Sequence, residues 1–277
     1  MELLGWAKDQ ASRQFYTDLA TVETVEDSVM HKRPKIFAHR GGRQWAPENT
    51  MAAFRKSVDA GVDGIELDVQ RCASGELVVI HDVDISRTTS GTGHVGEMTC
   101  SQLKQVSAGS RFGAEFSGET VPLLEEVLRL VDGKLVLNIE IKNVPIDYPG
   151  IEDDLIKLLS TYGHRDKLIV SGFDHQIIRQ LHAKAPELRL ALLANGLLVD
   201  LLAYARSIGA SVWHPMFATT RADSVAAAQA GGLEVNAWTL NSQSEWASAV
   251  SMGLDGIVTD DPAGLKAYLD QQDSTSR

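Results

Sequence analysis

Cysteine and positive charge are both scarce here: two cysteines, Cys72 and Cys100, and 26 lysines and arginines against 37 aspartates and glutamates in 277 residues. Two thiols without paired spacing exclude a zinc ribbon and the disulfide framework of small secreted domains, and they suit a reducing cytoplasm. A net charge of −11 and an isoelectric point near 5.2 repel nucleic acid and anionic membrane surfaces. A phosphate-bearing ligand would therefore need a local cationic cluster or a metal. Long apolar runs are missing too. The most apolar stretch, 188–205, is broken by Asn195, Gly196 and Asp200 and does not read as a membrane span. The start of the chain carries Glu2, Lys8, Asp9 and Arg13 and never reaches the apolar run of a signal peptide. No heptad seam is visible, and the charge neither demands nor excludes a dimer.

What is present is an ordinary globular composition, 44% hydrophobic and 23% charged, with length enough for one sizeable core. From Lys35 onward, short runs of Val, Ile and Leu alternate with helix-period segments. Strands are expected over 35–39, 63–70, 134–141, 167–171, 188–193, 211–213, 234–239 and 256–259. Helices are expected over 49–60, 123–131, 151–161, 174–185, 198–207, 219–230, 242–250 and 262–270. Eight strands, each followed by a helix, in roughly 250 residues is the arithmetic of a (β/α)8 TIM barrel, an α/β fold. Asp174 and the Asp261-Pro262 pair stand where helices should start, and Gly61, Gly209, Gly231 and Gly253 where they should end. The stretch 76–122 is too long for a βα loop and holds an extra strand over 76–80. It predicts a small insertion subdomain, about 83–120, over the top face after strand two. The expected organisation is a helical extension over 1–34, the barrel over 35–272 and a frayed tail over 273–277.

Polar residues that interrupt the apolar strands fall at the strands' C-terminal ends, the face where barrel enzymes carry their active sites. His39 and Arg40 leave the first strand in AHRGG, and PENT (47–50) follows. Glu66 and Asp68 in GIELDV are two apart and share a strand face, as do Glu140 and Lys142 in NIEIK. His81 and Asp82 end the extra strand. Without a ligand, Glu66, Asp68 and Glu140 would repel one another by several kcal/mol in order of magnitude, and one divalent cation removes that conflict. An all-oxygen donor set points to a hard ion, Mg²⁺ or Ca²⁺. Beside it, Arg40 and Lys142 would clamp a tetrahedral anion of one net negative charge, such as a phosphodiester. His39 and His81 remain as groups able to exchange protons near neutral pH. Taken singly, each feature has a plainer reading: an exposed carboxylate pair, a satisfied core histidine, surface charges, a helix start capped by Asn49 or Thr50. The combination is what argues for metal-assisted phosphodiester hydrolysis.

The sequence resembles the glycerophosphodiester phosphodiesterase family. The resemblance rests on HRGG (39–42), PENT (47–50), ELD (66–68), HD (81–82), RTTSGTG (87–93), VPLLEEVL (121–128), EIK (140–142) and AWT (237–239), in that order. It implies a barrel with a small insertion and a divalent cation, and hydrolysis of glycerophosphodiesters to glycerol 3-phosphate and an alcohol. By position it implies that Glu66, Asp68 and Glu140 are metal ligands and that His39 and His81 are the catalytic pair. Arg40 and Lys142 become phosphate contacts, and Glu48 a polar member of the same pocket. In the role split expected here, His81 is the general acid and His39 the base. Phe173 and Trp238 are expected as an aromatic wall for the glycerol carbons, with His214, Met216 and Phe217 near it. Two alternatives keep the barrel: a lysophospholipase D-type activity at the same site, which a groove rimmed by long apolar side chains in the insertion would favour, or a non-catalytic phosphate-binding barrel. The small-molecule substrate is the one partner expected.

Overall fold

A computed structural model describes residues 32–275. In chain order its strands are β1 (Lys35–His39), β2 (Gly64–Arg71), β3 (Leu77–Val79), β4 (Val136–Ile141), β5 (Leu168–Gly172), β6 (Leu190–Ala194), β7 (Val212–Pro215), β8 (Glu234–Ala237) and β9 (Gly256–Thr259). All but β3 run parallel in one ring, which closes because β1 pairs with both β2 and β9. The helices are α1 (Met51–Ala60), α2 (Cys100–Leu103), α3 (Leu124–Val131), α4 (Ile151–Ser160), α5 (His175–Lys184), α6 (Leu201–Ser207), α7 (Ala222–Ala230), α8 (Gln243–Ser251) and α9 (Pro262–Thr275). The chain thus forms the expected (β/α)8 barrel. No helix among the described residues is long and apolar enough to cross a membrane.

Strand alternation sorts the side chains. Ile65, Leu67 and Val69 of β2 and Leu137, Ile139 and Ile141 of β4 join the helices in one large core, which leaves Glu66, Asp68, Asn138 and Glu140 for the barrel interior. Below that polar layer the interior is plugged by Phe37, Ile169, Ala191, Val212 and Val258. The Phe37 ring fits because two neighbours are glycines: a Cβ on Gly64 would lie 2.5 Å from it and one on Gly256 2.8 Å.

The insertion after β2 has its own small core of Cys72, Val78, Ile80, Ile85, Val95, Leu103, Ala108 and Val121. Its strand β3 folds back antiparallel on β2, with Val79 opposite Val69, and this return carries His81 over the barrel mouth. Gln70, fully buried on β2, fixes that position, its amide donating to the carbonyls of Ile80, His81 and Asp82 at 3.1, 3.0 and 2.8 Å.

Helix boundaries follow local capping. Asp174 accepts from the backbone N–H of Gln176 and Ile177, and Asp261 accepts from that of Gly264 at 2.9 Å. Three expected helix limits move by three residues or more. The seventh helix begins at Ala222 and not at 219, because Phe217–Thr219 forms a separate 3-10 turn. The sixth helix begins at Leu201 and not at 198, because the Asp200 side chain caps it by accepting from Ala203. The last helix runs to Thr275, past the expected end at 270, so 273–275 is helical and not a frayed tail; Asp270 and Asp273 there pair with Arg33 at 2.8 and 2.5 Å. Nearly all of the N-terminal extension expected over 1–34, residues 1–31, lies outside the described residues.

Candidate active site

The turn after β1, the strands β2 and β4, the insertion and the loop after β9 meet at the C-terminal mouth of the barrel. In the first of these, Arg40 and Gly41 both have left-handed backbones, φ 51° and 82°, and a Cβ on Gly41 would lie 2.7 Å from that of Ala53. Only glycine fits this close approach to α1, and the turn aims Arg40 back over the mouth. Asn49 is also left-handed, φ 55°, a conformation that asparagine tolerates well. Thr50, not Asn49, caps α1. The Asn49 amide instead donates to Asp68 Oδ2 at 2.8 Å.

The second and third segments are β2 and β4, which bring together Glu66, Asp68 and Glu140. One ligand-type oxygen from each lies within 4.8 Å of the others, and all three side chains are buried. Burial and mutual repulsion push the Glu66 and Glu140 carboxyls up, Glu140 to about 7. Asp68 is held down, though burial opposes this, by Arg40, His81, Lys142 and the Asn49 amide. Without a cation the trio thus keeps one firm negative charge and shares protons between the other two groups. Asp68 Oδ1 is buried with no hydrogen-bond partner among the described residues, although Lys142 Nζ lies 3.8 Å from it. An orphan carboxylate oxygen among three hard donors is the arrangement a divalent cation satisfies.

The cations flank this trio. Arg40 Nη1 donates to Glu48 at 2.8 Å, its Nε lies 3.2 Å from Asp68, and its backbone N–H donates to Glu66 at 3.0 Å. Lys142 Nζ donates to Glu140 at 2.7 Å and to His81 Nε2 at 3.2 Å. Both cations stay protonated, because the neighbouring carboxylates outweigh burial.

Each histidine has a carboxylate behind it. His39 Nδ1 lies 2.6 Å from Asp260 Oδ1, and its Nε2 faces Glu66 at 3.8 Å. His81 Nδ1 lies 2.6 Å from Asp82 Oδ1. In the neutral ring the hydrogen sits on Nδ1 and donates to the carboxylate, which leaves Nε2 bare toward the site. Burial lowers both histidines below the usual value, against the pull of Asp260 on one and of Asp68 and Asp82 on the other. Arg87, from the insertion, donates to Asp82 and to both Glu48 oxygens, tying the second histidine's support to Arg40's.

Six of these groups, His39, Arg40, Glu66, His81, Glu140 and Lys142, line a cavity of about 140 Å³ together with Phe173, Leu193 and Trp238, while Asp68 lies buried behind its wall. The Phe173 and Trp238 rings pack edge to face in the cavity lining, centroids 5.7 Å apart. His214 also lines the cavity, while Met216 and Phe217 do not. Glu48 is not on its surface either; it stands behind Arg40, where Arg87 and Arg40 hold its carboxyl far below the usual range against the effect of burial, and Arg43 also donates to it. Asp260, Asn138 and Arg87 were missed in the sequence. Asp260 directly follows β9 as Arg40 follows β1, so the strand-end rule that flagged His39 and Arg40 applies to it equally. Arg87 ends the short 3-10 turn Ile85–Arg87 in the insertion, away from any barrel strand end, and although it opens the RTTSGTG stretch it gives no such signal.

The sequence profile of the glycerophosphoryl diester phosphodiesterase family matches residues 39–264. A glycerophosphodiester phosphodiesterase of Caldanaerobacter subterraneus is 39% identical over 231 residues, 83% of this chain and 95% of its own length. One of Bacillus altitudinis is 38% identical over 232 residues, 82% of this chain and 95% of its own. Among solved structures, an Oleispira antarctica phosphodiesterase in complex with the product sn-glycerol-3-phosphate superposes with a TM-score of 0.80 at 28% identity, covering 86% of this chain and 97% of that one. With the barrel, the carboxylate trio and the paired histidines in place, these matches show that the chain belongs to the glycerophosphoryl diester phosphodiesterase family, and that it is a hydrolase.

Proposed function

We propose that the chain hydrolyses glycerophosphodiesters to glycerol 3-phosphate and an alcohol, with Glu66, Asp68 and Glu140 holding one Mg²⁺ or Ca²⁺. The observation that carries this reading is the meeting, at one cavity, of two cations, two carboxylate-backed histidines, and Glu66 and Glu140 on the wall with Asp68 buried within 4.8 Å of them. Bound there, the cation would relieve the carboxylate repulsion and polarise a phosphoryl oxygen.

Arg40 and Lys142 take the phosphate oxygens, because they are the cations at the cavity wall and stay charged. His39 is the base: Asp260 fixes its tautomer and favours the imidazolium that forms when Nε2 accepts a proton. His81 is the acid. Its side chain is 30% exposed against 13% for His39, so it lies nearer the mouth through which the alcohol leaves. An arriving phosphodiester anion favours its charged form. Phe173 and Trp238 cover the carbon skeleton. Glu48 acts on substrate through Arg40, which it orients. Both cysteines are free, consistent with the cytoplasmic setting we propose.

One observation favours a second reading. Val144, Ile146, Leu197, Val199 and Met216, in the loops after β4, β6 and β7, are exposed, as is Phe112 in the insertion. An apolar rim there would suit a lysophospholipid. The test of both is release of glycerol 3-phosphate from glycerophosphocholine, glycerophosphoethanolamine and glycerophosphoglycerol, each with Mg²⁺, Ca²⁺ or chelator, beside choline release from lysophosphatidylcholine. Metal-dependent glycerol 3-phosphate release is the expected result. Choline release alone would establish the second reading, and neither product would leave a phosphate-binding barrel.

A further inference from the structure

The closed end of the catalytic cavity carries two polar groups that the chemistry above does not use. Asn138 and His214 both line the cavity, and each is 2% exposed. Asn138 shares the inward face of β4 with Glu140, two residues deeper in the barrel, and stands in register with Glu66. Its Oδ1 accepts the Ser171 hydroxyl at 2.9 Å, and its amide nitrogen has no hydrogen-bond partner among the described residues. His214 lies across the barrel on β7. Its Nε2 accepts from the Asn236 amide at 3.3 Å, which assigns the ring hydrogen to Nδ1. That N–H likewise has no partner among the described residues. Burial holds the ring down to about 4, so the donor carries no charge at neutral pH.

The division of the cavity then has a chemical meaning. Its charged side, with Arg40 and Lys142, suits the phosphate; the uncharged donors at the closed end suit neutral oxygen acceptors. Donors that line a cavity and have no protein partner are available to a ligand that enters it, and only a ligand with matching acceptors gains from them. A glycerol moiety reaching below the phosphate offers two hydroxyl oxygens, whereas a plain alkyl chain offers none.

We propose that Asn138 and His214 bind the hydroxyl groups of the glycerol moiety and set the preference for a polyol phosphate ester over an alkyl one. This rests on the reading given under Proposed function. It also fixes the polarity of binding: the glycerol end lies inward, and the leaving alcohol faces the mouth.

The experiment compares binding of glycerol 3-phosphate and propyl phosphate, which lacks both hydroxyls, by calorimetry with saturating Mg²⁺. The wild type, Asn138→Leu, His214→Phe and His214→Gln are measured alongside Mg²⁺ affinity and glycerophosphocholine turnover. The wild type should favour glycerol 3-phosphate by at least about tenfold. Asn138→Leu and His214→Phe should each weaken glycerol 3-phosphate about five- to tenfold, the worth of one neutral hydrogen bond, and leave propyl phosphate within twofold. His214→Gln, which restores an N–H donor, should recover part of the loss. Should Asn138→Leu fail to fold, Ser171→Ala, which frees the amide from its anchor, is expected to act in the same direction. Equal weakening of both ligands, an unchanged ratio, or a loss of Mg²⁺ affinity in Asn138→Leu would overturn the proposal. A wild type that binds both ligands with the expected preference but does not cleave glycerophosphocholine would instead sink the proposed reaction while leaving the subsite intact.

Discussion

Replacing Glu140 by Gln should make the metal-free protein more stable at alkaline pH, and the size of the effect follows from the carboxylate trio. With the oxygens within 4.8 Å of one another, each ionised pair repels by about 3.5 kcal/mol at an effective dielectric near 20. The rise of Glu140 from its ordinary value of 4.5 to about 7 corresponds to about 3 kcal/mol by linkage. Because the folded-state value lies above the unfolded one, the stability from a protonated Glu140 is full below about pH 4.5 and is lost as pH climbs through 7. Glu140→Gln mimics the protonated form at every pH. In chelator at pH 8 the variant should therefore melt about 6–12 °C above the wild type, at 2–4 °C per kcal/mol for a domain of this size, with the gap closing toward pH 5. His39, His81 and His214 are lowered in the fold; their stability is lost as pH falls below about 6.5, the opposite slope, but both proteins carry them and the difference cancels them. Adding Mg²⁺ or Ca²⁺ should raise the wild-type melting temperature and leave the variant nearly unmoved. Scanning calorimetry from pH 5 to 8 with and without chelator decides it. A gap that does not change with pH, or a wild type more stable than the variant at pH 8 in chelator, would refute the account of this site.

Asp260→Asn should cost at least about 10²-fold in kcat with little change in KM or metal affinity, because it disturbs the tautomer of His39 at a 2.6 Å contact; a rate within twofold of wild type would remove His39 as base. His81→Ala should lose at least about 10²-fold in turnover while calorimetry finds metal binding intact, and a near-normal rate would end its role as acid. Glu66→Ala should abolish metal binding and activity together, so activity that persists in excess chelator contradicts the metal assignment. Arg87→Met should raise KM several-fold and lower kcat less than Asp260→Asn does, since Glu48 keeps its 2.8 Å bond to Arg40; steady-state kinetics on glycerophosphocholine would show otherwise if Arg87 contacts substrate.

The barrel was legible in the sequence because its signal is local. Buried parallel strands must be apolar and helices must alternate with them, so period and count suffice. The polar exceptions were legible for the same reason: Glu66, Asp68 and Glu140 interrupt strands that have no other cause to carry charge, and spacing by two puts the first pair on one face. What spacing could not give is distance between segments far apart in the chain. That Asp260 backs His39 across 221 positions, that Arg87 braces both Asp82 and Glu48, and that Glu48 stands behind Arg40 depend on loop geometry and ring closure. Asn138 and His214 are further cases. A polar residue in an apolar strand has many structural explanations, and only the closed barrel shows that these two face the same cavity with donors left unpaired. The sequence thus determined which chemistry the strands carry, since backbone periodicity and burial act locally. The tertiary structure decided which groups act on one another, since hydrogen bonds and charge coupling depend on distances of a few ångströms that only closure of the ring sets.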